Sequence, residues 1–121
     1  MSVSFHLGIS TEKEKYVCNL LAVKDYLDNH FTDNIHLDEL SEIFYISKFY
    51  LTREFKKKYS ITIIQYIINK RIEYSKELLR CTDKSIEEIS EICGFNDPSY
   101  FSKQFKKNEN ITCVNYRKNN T

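Results

Sequence analysis

Basic residues recur at a fixed interval in this 121-residue sequence, in a pattern suited to binding anions. Arg53, Lys56 and Lys57 return 50 residues later as Lys103, Lys106 and Lys107. Lysine and arginine donate hydrogen bonds to phosphate oxygens and to base edges, and arginine can make two parallel bonds to one guanine. A single basic run is usually a solvated surface. Its return at the same place in a repeat favours two equivalent binding faces.

These residues belong to a longer internal repeat. Residues 37–43 (LDELSEI) match residues 86–92 (IEEISEI) at an offset of 49, and residues 51–66 match residues 101–116 at an offset of 50. Repeats at such intervals indicate that one supersecondary unit is used twice. The change of offset by one predicts an extra residue in the connecting turn of one unit.

The charge of the chain is divided into blocks that follow the repeat. The net charge is only +1, which alone argues against a nucleic-acid binder. However, residues 47–80 carry nine basic and three acidic side chains, a net of +6, and residues 98–118 carry a net of +4. Residues 1–46 and 81–97 have nets of −5 and −4. A local basic footprint matters more for binding phosphate than the total does.

Apolar residues at helical spacing predict an all-α fold of about seven helices. Two helix-turn-helix subdomains are joined by a long linker helix in this prediction. We divide the chain into a disordered lead-in (1–12), a first unit (13–61), the linker helix (62–80) and a second unit (81–121). The run ITIIQYII has β-propensity, but its apolar stripe continues at helical period through more than four turns.

Helix starts are marked by candidate N-caps at five places: Ser47, Thr62, Ser85, Asp97 and Thr112. Gln65 and Glu88 lie three residues after two of these caps, which predicts capping boxes there. Gly94 lies in the turn of the second unit, where a glycine can adopt a positive φ at little cost.

Each predicted unit is an acidic helix, a tight turn and a basic helix, which describes a helix-turn-helix. The second helices, at about 47–58 and 97–108, have apolar faces for the core and polar faces for a DNA groove. We predict base contacts from Phe49, Thr52, Arg53, Pro98, Ser99, Ser102 and Lys103. We predict phosphate contacts from Lys48, Lys56, Lys57, Lys106 and Lys107. Phe49 could instead belong to the core.

The linker helix would separate the two basic helices by roughly 28 Å, at about 1.5 Å per residue. One face of a duplex presents successive major grooves about every 34 Å. This similarity predicts that both helices enter successive major grooves.

The second unit, SIEEISEICGFNDPSYFSKQFKK followed by YR, resembles the signature of AraC/XylS-family transcription regulators. The segment LDELSEIFYISKFYLTREFKK resembles the first helix-turn-helix of that family, and KRIEYSKELL resembles its linker helix. The likeness extends over about residues 14–118. It implies sequence-specific binding of double-stranded DNA that regulates transcription, with Phe49, Thr52 and Arg53 facing bases in the first unit. Pro98, Ser99 and Lys103 would face bases in the second, where Pro98 offers only apolar contact.

The sequence departs from the family pattern at several turn positions. Ser60 and Asn110 stand where the family has Gly after each basic helix, and Cys113 stands near the expected Pro. The family usually joins this domain to a sensing or dimerising domain, for which no segment here is long enough. Such a domain is either missing from this sequence or not required. RNA polymerase is another candidate partner.

Other functions are disfavoured by the residues. The alternative function is a helix-turn-helix module adapted to protein–protein regulation, for which the acidic blocks could supply a surface. We predict no enzyme activity, no cofactor and no metal site, because no nucleophile stands near the carboxylates and the four cysteines lack close spacing. No signal peptide or membrane-spanning run is present, which predicts a cytoplasmic location.

Some basic and aromatic residues have a structural interpretation. We expect Lys70, Arg71 and Lys76 on the linker helix to pair with carboxylates. Tyr50 and Tyr100 correspond in the repeat, and each could pack at the edge of its unit or touch phosphate.

Overall fold

Seven α-helices form the part of the chain that the structure describes, which confirms the all-α prediction. The computed structural model describes residues 12–120, with side chains from residue 19 onward. Apart from Glu12, with which the first helix begins, the predicted lead-in lies outside the described residues. The helices are α1 (Glu12–His30), α2 (Leu37–Phe44), α3 (Lys48–Tyr59), α4 (Ile63–Cys81), α5 (Ile86–Cys93), α6 (Pro98–Glu109) and α7 (Cys113–Asn119).

The internal repeat of the sequence is visible in the helices. The acidic helices α2 and α5 each have 8 residues, and the basic helices α3 and α6 each have 12. Residues 45–47 connect the first pair, whereas residues 94–97 connect the second. The extra residue is therefore in a connecting turn, as predicted, and that turn is in the second unit.

Side-chain caps fix the start of most helices. The Ser47 hydroxyl accepts a hydrogen bond from the Tyr50 N–H at 3.0 Å, and Ser85 and Glu88 form the predicted reciprocal capping box. The capping box predicted at Thr62 is only half formed. Thr62 accepts from the Gln65 N–H at 3.0 Å, but the Gln65 side chain donates to Asn69 Oδ1 one turn later at 2.8 Å.

The ends of the acidic and basic helices adopt the left-handed conformation. Gly94 has a φ of 101°, as its position predicted, and Ser60 and Asn110 have φ values of 69° and 62°. Tyr45 matches Gly94 in the repeat and has a φ of 54°. Its conformation was not anticipated, although the offset of 49 could have indicated it.

Two apolar cores lie on either side of one helix, α4. The first core contains Ile63 and Ile67 of α4 together with Leu27 and Phe55, and the second contains Ile68 and Ile72 together with residues of α5, α6 and α7. The segment ITIIQYII is helical, as its periodicity predicted. Since each buried aliphatic or aromatic side chain contributes about 1.5–3 kcal/mol, both units depend on α4 for stability.

Candidate nucleic-acid interface

Buried apolar residues set the rotation of the basic helices. Leu51 and Phe55 of α3 are fully buried, and so are Phe101 and Phe105 of α6. Because these residues turn one face of each helix inward, the opposite face is presented to solvent. The residues predicted to contact bases or phosphates are all exposed on those faces: Lys48, Phe49, Thr52, Arg53, Lys56 and Lys57 on α3, and Pro98, Ser99, Ser102, Lys103, Lys106 and Lys107 on α6.

Phe49 belongs to the outer face of α3 and not to the core, since 76% of its surface is exposed. The guanidinium carbon of Arg53 lies 5.5 Å from the centre of its ring and 5.3 Å from the centre of the Tyr50 ring. Arg53 Nε also contacts Glu54 Oε2 at 3.1 Å. These contacts hold an exposed arginine in one orientation, which reduces the entropy that it loses on binding.

The hydroxyl of Thr52 is partly used inside the helix. It donates to the Lys48 carbonyl one turn earlier at 2.8 Å, so its oxygen lone pairs and its methyl group remain for an outside contact. Lys48 Nζ lies 2.8 Å from Asp38 Oδ1 of α2, and this hydrogen-bonded ammonium lowers the pKa of Asp38. A phosphate that bound Lys48 would have to share or replace that carboxylate.

The basic face of α6 is less constrained than that of α3. Lys103, Lys106 and Lys107 are exposed and form no salt bridge within residues 19–120. Ser102 lies beside Cys113, whose thiol pKa is raised to about 11 by burial despite a hydrogen bond with Ser102. Lysines in the last turn of α3 and α6 also lie at the negative end of the helix dipole, where a cation interacts favourably with the helix.

A groove with mostly apolar walls borders the outer face of each basic helix. The groove of the first unit is lined by Leu37, Lys48, Phe49, Thr52 and Arg53. The groove of the second unit includes Ile86, Ser102 and Lys103, which match Leu37, Thr52 and Arg53 in the repeat. Both units therefore place an apolar surface next to a cation, an arrangement suited to a thymine methyl beside a base-edge acceptor.

Linker-helix cations hold the structure together, but not all as predicted. Lys70 pairs with Asp28 at 3.5 Å, and Lys76 pairs with Glu73 and Glu109, both at 3.1 Å, which confirms the expected carboxylate pairing. Arg71 is different: its Nε donates to the Phe31 carbonyl at 2.6 Å and its Nη2 to the Asp33 carbonyl at 2.8 Å. The prediction of a carboxylate partner was wrong here, because the guanidinium fork meets the unpaired carbonyls after α1.

Tyr100 packs against the ring of Phe95, with 6.2 Å between centroids, and remains 45% exposed. No group of His, Cys, Asp and Glu in the described residues could hold a metal ion. None of the helices described is long and apolar enough to cross a membrane.

A family model described as a helix-turn-helix domain matches residues 40–119. An uncharacterised helix-turn-helix-type transcriptional regulator of Escherichia coli, YijO, is 33% identical over 97 residues, which are 80% of this chain and 34% of that protein. The chain thus spans about a third of the length of this curated relative.

Two solved structures show the same fold. The C-terminal domain of AraT, a response regulator from Geobacillus stearothermophilus, is 30% identical with a TM-score of 0.79 and covers 84% of both chains. The DNA-binding domain of the transcriptional factor AdpA, solved in complex with a target DNA, is 23% identical with a TM-score of 0.78. It covers 84% of this chain and 91% of its own.

Proposed function

This chain belongs to the AraC/XylS-type helix-turn-helix family, and we propose that α3 and α6 enter successive major grooves on one face of a DNA duplex. Its function is sequence-specific binding of double-stranded DNA in the regulation of transcription. We also propose which residues contact bases and which contact phosphates.

The recurrence of one exposed basic face on two helices supports this arrangement most directly. Arg53 and Lys103 occupy the same repeat position, two residues before Phe55 and Phe105, the buried phenylalanines that fix both helices in the same way. In the first unit, Phe49, Thr52 and Arg53 read bases. In the second, Pro98, Ser99, Ser102 and Lys103 do so, with direct hydrogen-bond readout limited to the serines and the lysine.

The lysines at the end of each helix supply sequence-independent affinity. Lys56 and Lys57 on α3, and Lys106 and Lys107 on α6, lie where a helix in the groove passes the phosphate backbone. Lys48 is a fifth phosphate ligand once its contact with Asp38 is exchanged. Each neutralised phosphate releases counterions, which makes the slope of log affinity against log salt concentration steeper by about 0.9.

The structure of the DNA-bound AdpA domain has the same fold as this chain, and that likeness supports a duplex as the partner. The chain spans 34–45% of the length of its first curated relatives. For the whole protein, we propose a sensing or dimerising domain and RNA polymerase as further partners. We place its work in the cytoplasm, where such a regulator meets DNA. It acts by binding, without catalysis.

Selection of bound duplexes from a random library, followed by titration of the winning duplex at several salt concentrations, tests the proposal. Two enriched blocks about one helical turn apart and a steep salt slope support it. A single enriched block would reject base reading by one unit. No enrichment and a shallow slope would reject DNA as the partner and favour the protein–protein alternative.

A further inference from the structure

The two units meet at a small joint on one side of α4. The joint consists of the α1–α2 loop (residues 31–36), Arg71 of α4 and the α5–α6 turn (residues 94–97). The loop belongs to the first unit, and the turn places α6 of the second. Any contact between them therefore bears on the geometry of both basic helices.

Arg71 contacts both sides of this joint. Its guanidinium donates to the Phe31 and Asp33 carbonyls of the loop at 2.6 and 2.8 Å. Its guanidinium carbon also lies 5.5 Å from the centre of the Phe95 ring in the turn. Arginine suits this position because a planar fork can satisfy two carbonyls while its face stacks on a ring, which lysine cannot do.

Gly94 brings the two backbones into direct contact. A Cβ at this glycine would lie 2.6 Å from the Thr32 carbonyl oxygen and 2.9 Å from the Thr32 Cα, both of which are backbone atoms. The glycine is thus required for the approach of the loop as well as for its φ of 101°.

The seam beyond the joint is open. Thr32 and Asn34 line one side of a cleft, and Glu87, Glu91 and Asn96 line parts of the other. The units are also joined by the shared helix α4 and by the edge-to-face contact of Phe31 with Tyr74, with 6.0 Å between ring centroids. Since the cleft is open, the loop and the turn are held to each other at this edge by Arg71 and by the Gly94–Thr32 approach.

We propose that Arg71 is a positioning residue that locks the two helix-turn-helix units in one relative orientation and so sets the spacing of the two DNA blocks that they read. The part concerning DNA spacing rests on the proposed function. Two linked binding elements gain affinity only when the linkage places both on their sites together. Loosening the joint should therefore cost affinity for paired blocks and leave affinity for one block unchanged.

The test compares the full chain with Arg71→Lys, which keeps the charge but loses the fork. Arg117→Lys is the matched control, because Arg117 of α7 makes a similar clamp on the Leu79 and Thr82 carbonyls at the end of α4, at 3.1 Å each, away from the joint. Gly94→Ala disturbs the joint from the side of the α5–α6 turn, and it replaces Arg71→Lys in the test if that variant does not fold.

Residual dipolar couplings of the free proteins measure the orientation without DNA. One alignment tensor should fit both units of the parent chain and of Arg117→Lys, whereas Arg71→Lys should need two. DNA affinity is then measured on three duplexes, in which the two blocks are at the optimal spacing, one base pair closer or one base pair farther apart. A duplex with a single block is measured as well.

We expect Arg71→Lys to lose about tenfold affinity at the optimal spacing, to discriminate poorly between spacings, and to keep its single-block affinity. A single tensor together with an unchanged spacing preference in Arg71→Lys would overturn the proposal. If the parent chain ignores the second block altogether, two-groove reading is rejected, and the tensors alone still decide whether Arg71 locks the units.

Discussion

The guanidinium of Arg53 lies over the ring of Phe49, one helical turn earlier, with 5.5 Å between the guanidinium carbon and the ring centre. Both side chains are on the outer face of α3, where 76% of the phenylalanine surface is exposed. The exposed ring thus lies against the side chain best suited to recognise guanine.

Arg53→Ala should weaken binding to the selected duplex by about 1–3 kcal/mol and relax the preference at one base pair, because a two-bond contact to a base is lost. Titration against duplexes altered at each base pair measures both effects. Arg80→Ala is the control, since Arg80 bonds the Tyr116 hydroxyl at 2.6 Å, away from α3. An unchanged base preference would remove Arg53 from base reading.

Phe49→Ala should weaken specific binding partly by releasing Arg53. A double-mutant cycle with Arg53→Ala should give a coupling of about 0.5–1 kcal/mol in binding free energy, the size of an exposed cation–π contact. Strict additivity of the two substitutions would show that the ring does not orient the guanidinium.

Lys56→Ala should lower affinity for all duplexes alike and reduce the slope of log affinity against log salt by about 0.9, since one phosphate contact is lost. Lys84→Ala, an exposed lysine before α5 and outside both basic faces, should leave the slope unchanged. A loss confined to one DNA sequence would contradict the phosphate role.

Phe55→Ala and Phe105→Ala should each lower the free energy of unfolding by about 3–5 kcal/mol, because both side chains are fully buried. Denaturant unfolding measures the loss, and the exposed Phe49→Ala provides a matched phenylalanine truncation with little expected effect on stability. Reduced DNA affinity with unchanged stability at Phe55 or Phe105 would refute a purely structural role.

Ser60→Gly should raise the free energy of unfolding by about 1 kcal/mol, because Ser60 has a φ of 69° and a side chain strains that conformation. Asn110→Gly should gain less, since asparagine tolerates the left-handed region better than serine. Thermal melting of both variants gives the comparison, with Lys57→Gly in the interior of α3 as a destabilising control. No gain at Ser60 would argue against strain as the cause, and equal gains at both positions would argue against the better tolerance of asparagine.

Much of the fold could be predicted from periodicity and caps. The apolar stripe of α4 outweighed the β-propensity of ITIIQYII, and the pairing of Ser85 with Glu88 located the start of α5 because both capping bonds are local. The same pattern at Thr62 forms only half of a capping box, because the side-chain amide of Gln65 donates to Asn69 and does not turn back to the N-cap backbone.

The outer faces of α3 and α6 were also predictable, since they follow from which residues must be inside. The partners of Arg71 were not. Its bonds reach loop carbonyls 38 and 40 residues away, and backbone acceptors leave no mark in the sequence. The same holds for Thr32, whose contact with Gly94 depends on tertiary arrangement and not on side-chain type.

Ile67 and Ile68 are neighbours in the chain, yet they belong to different cores. Loss of order in one core would therefore expose part of the helix on which the other core is built. We expect the two units to melt together in one cooperative transition, as a single folding unit. An excised second unit that lacks α4 would lose Ile68, Ile72 and Leu79 from its interior and should not fold alone.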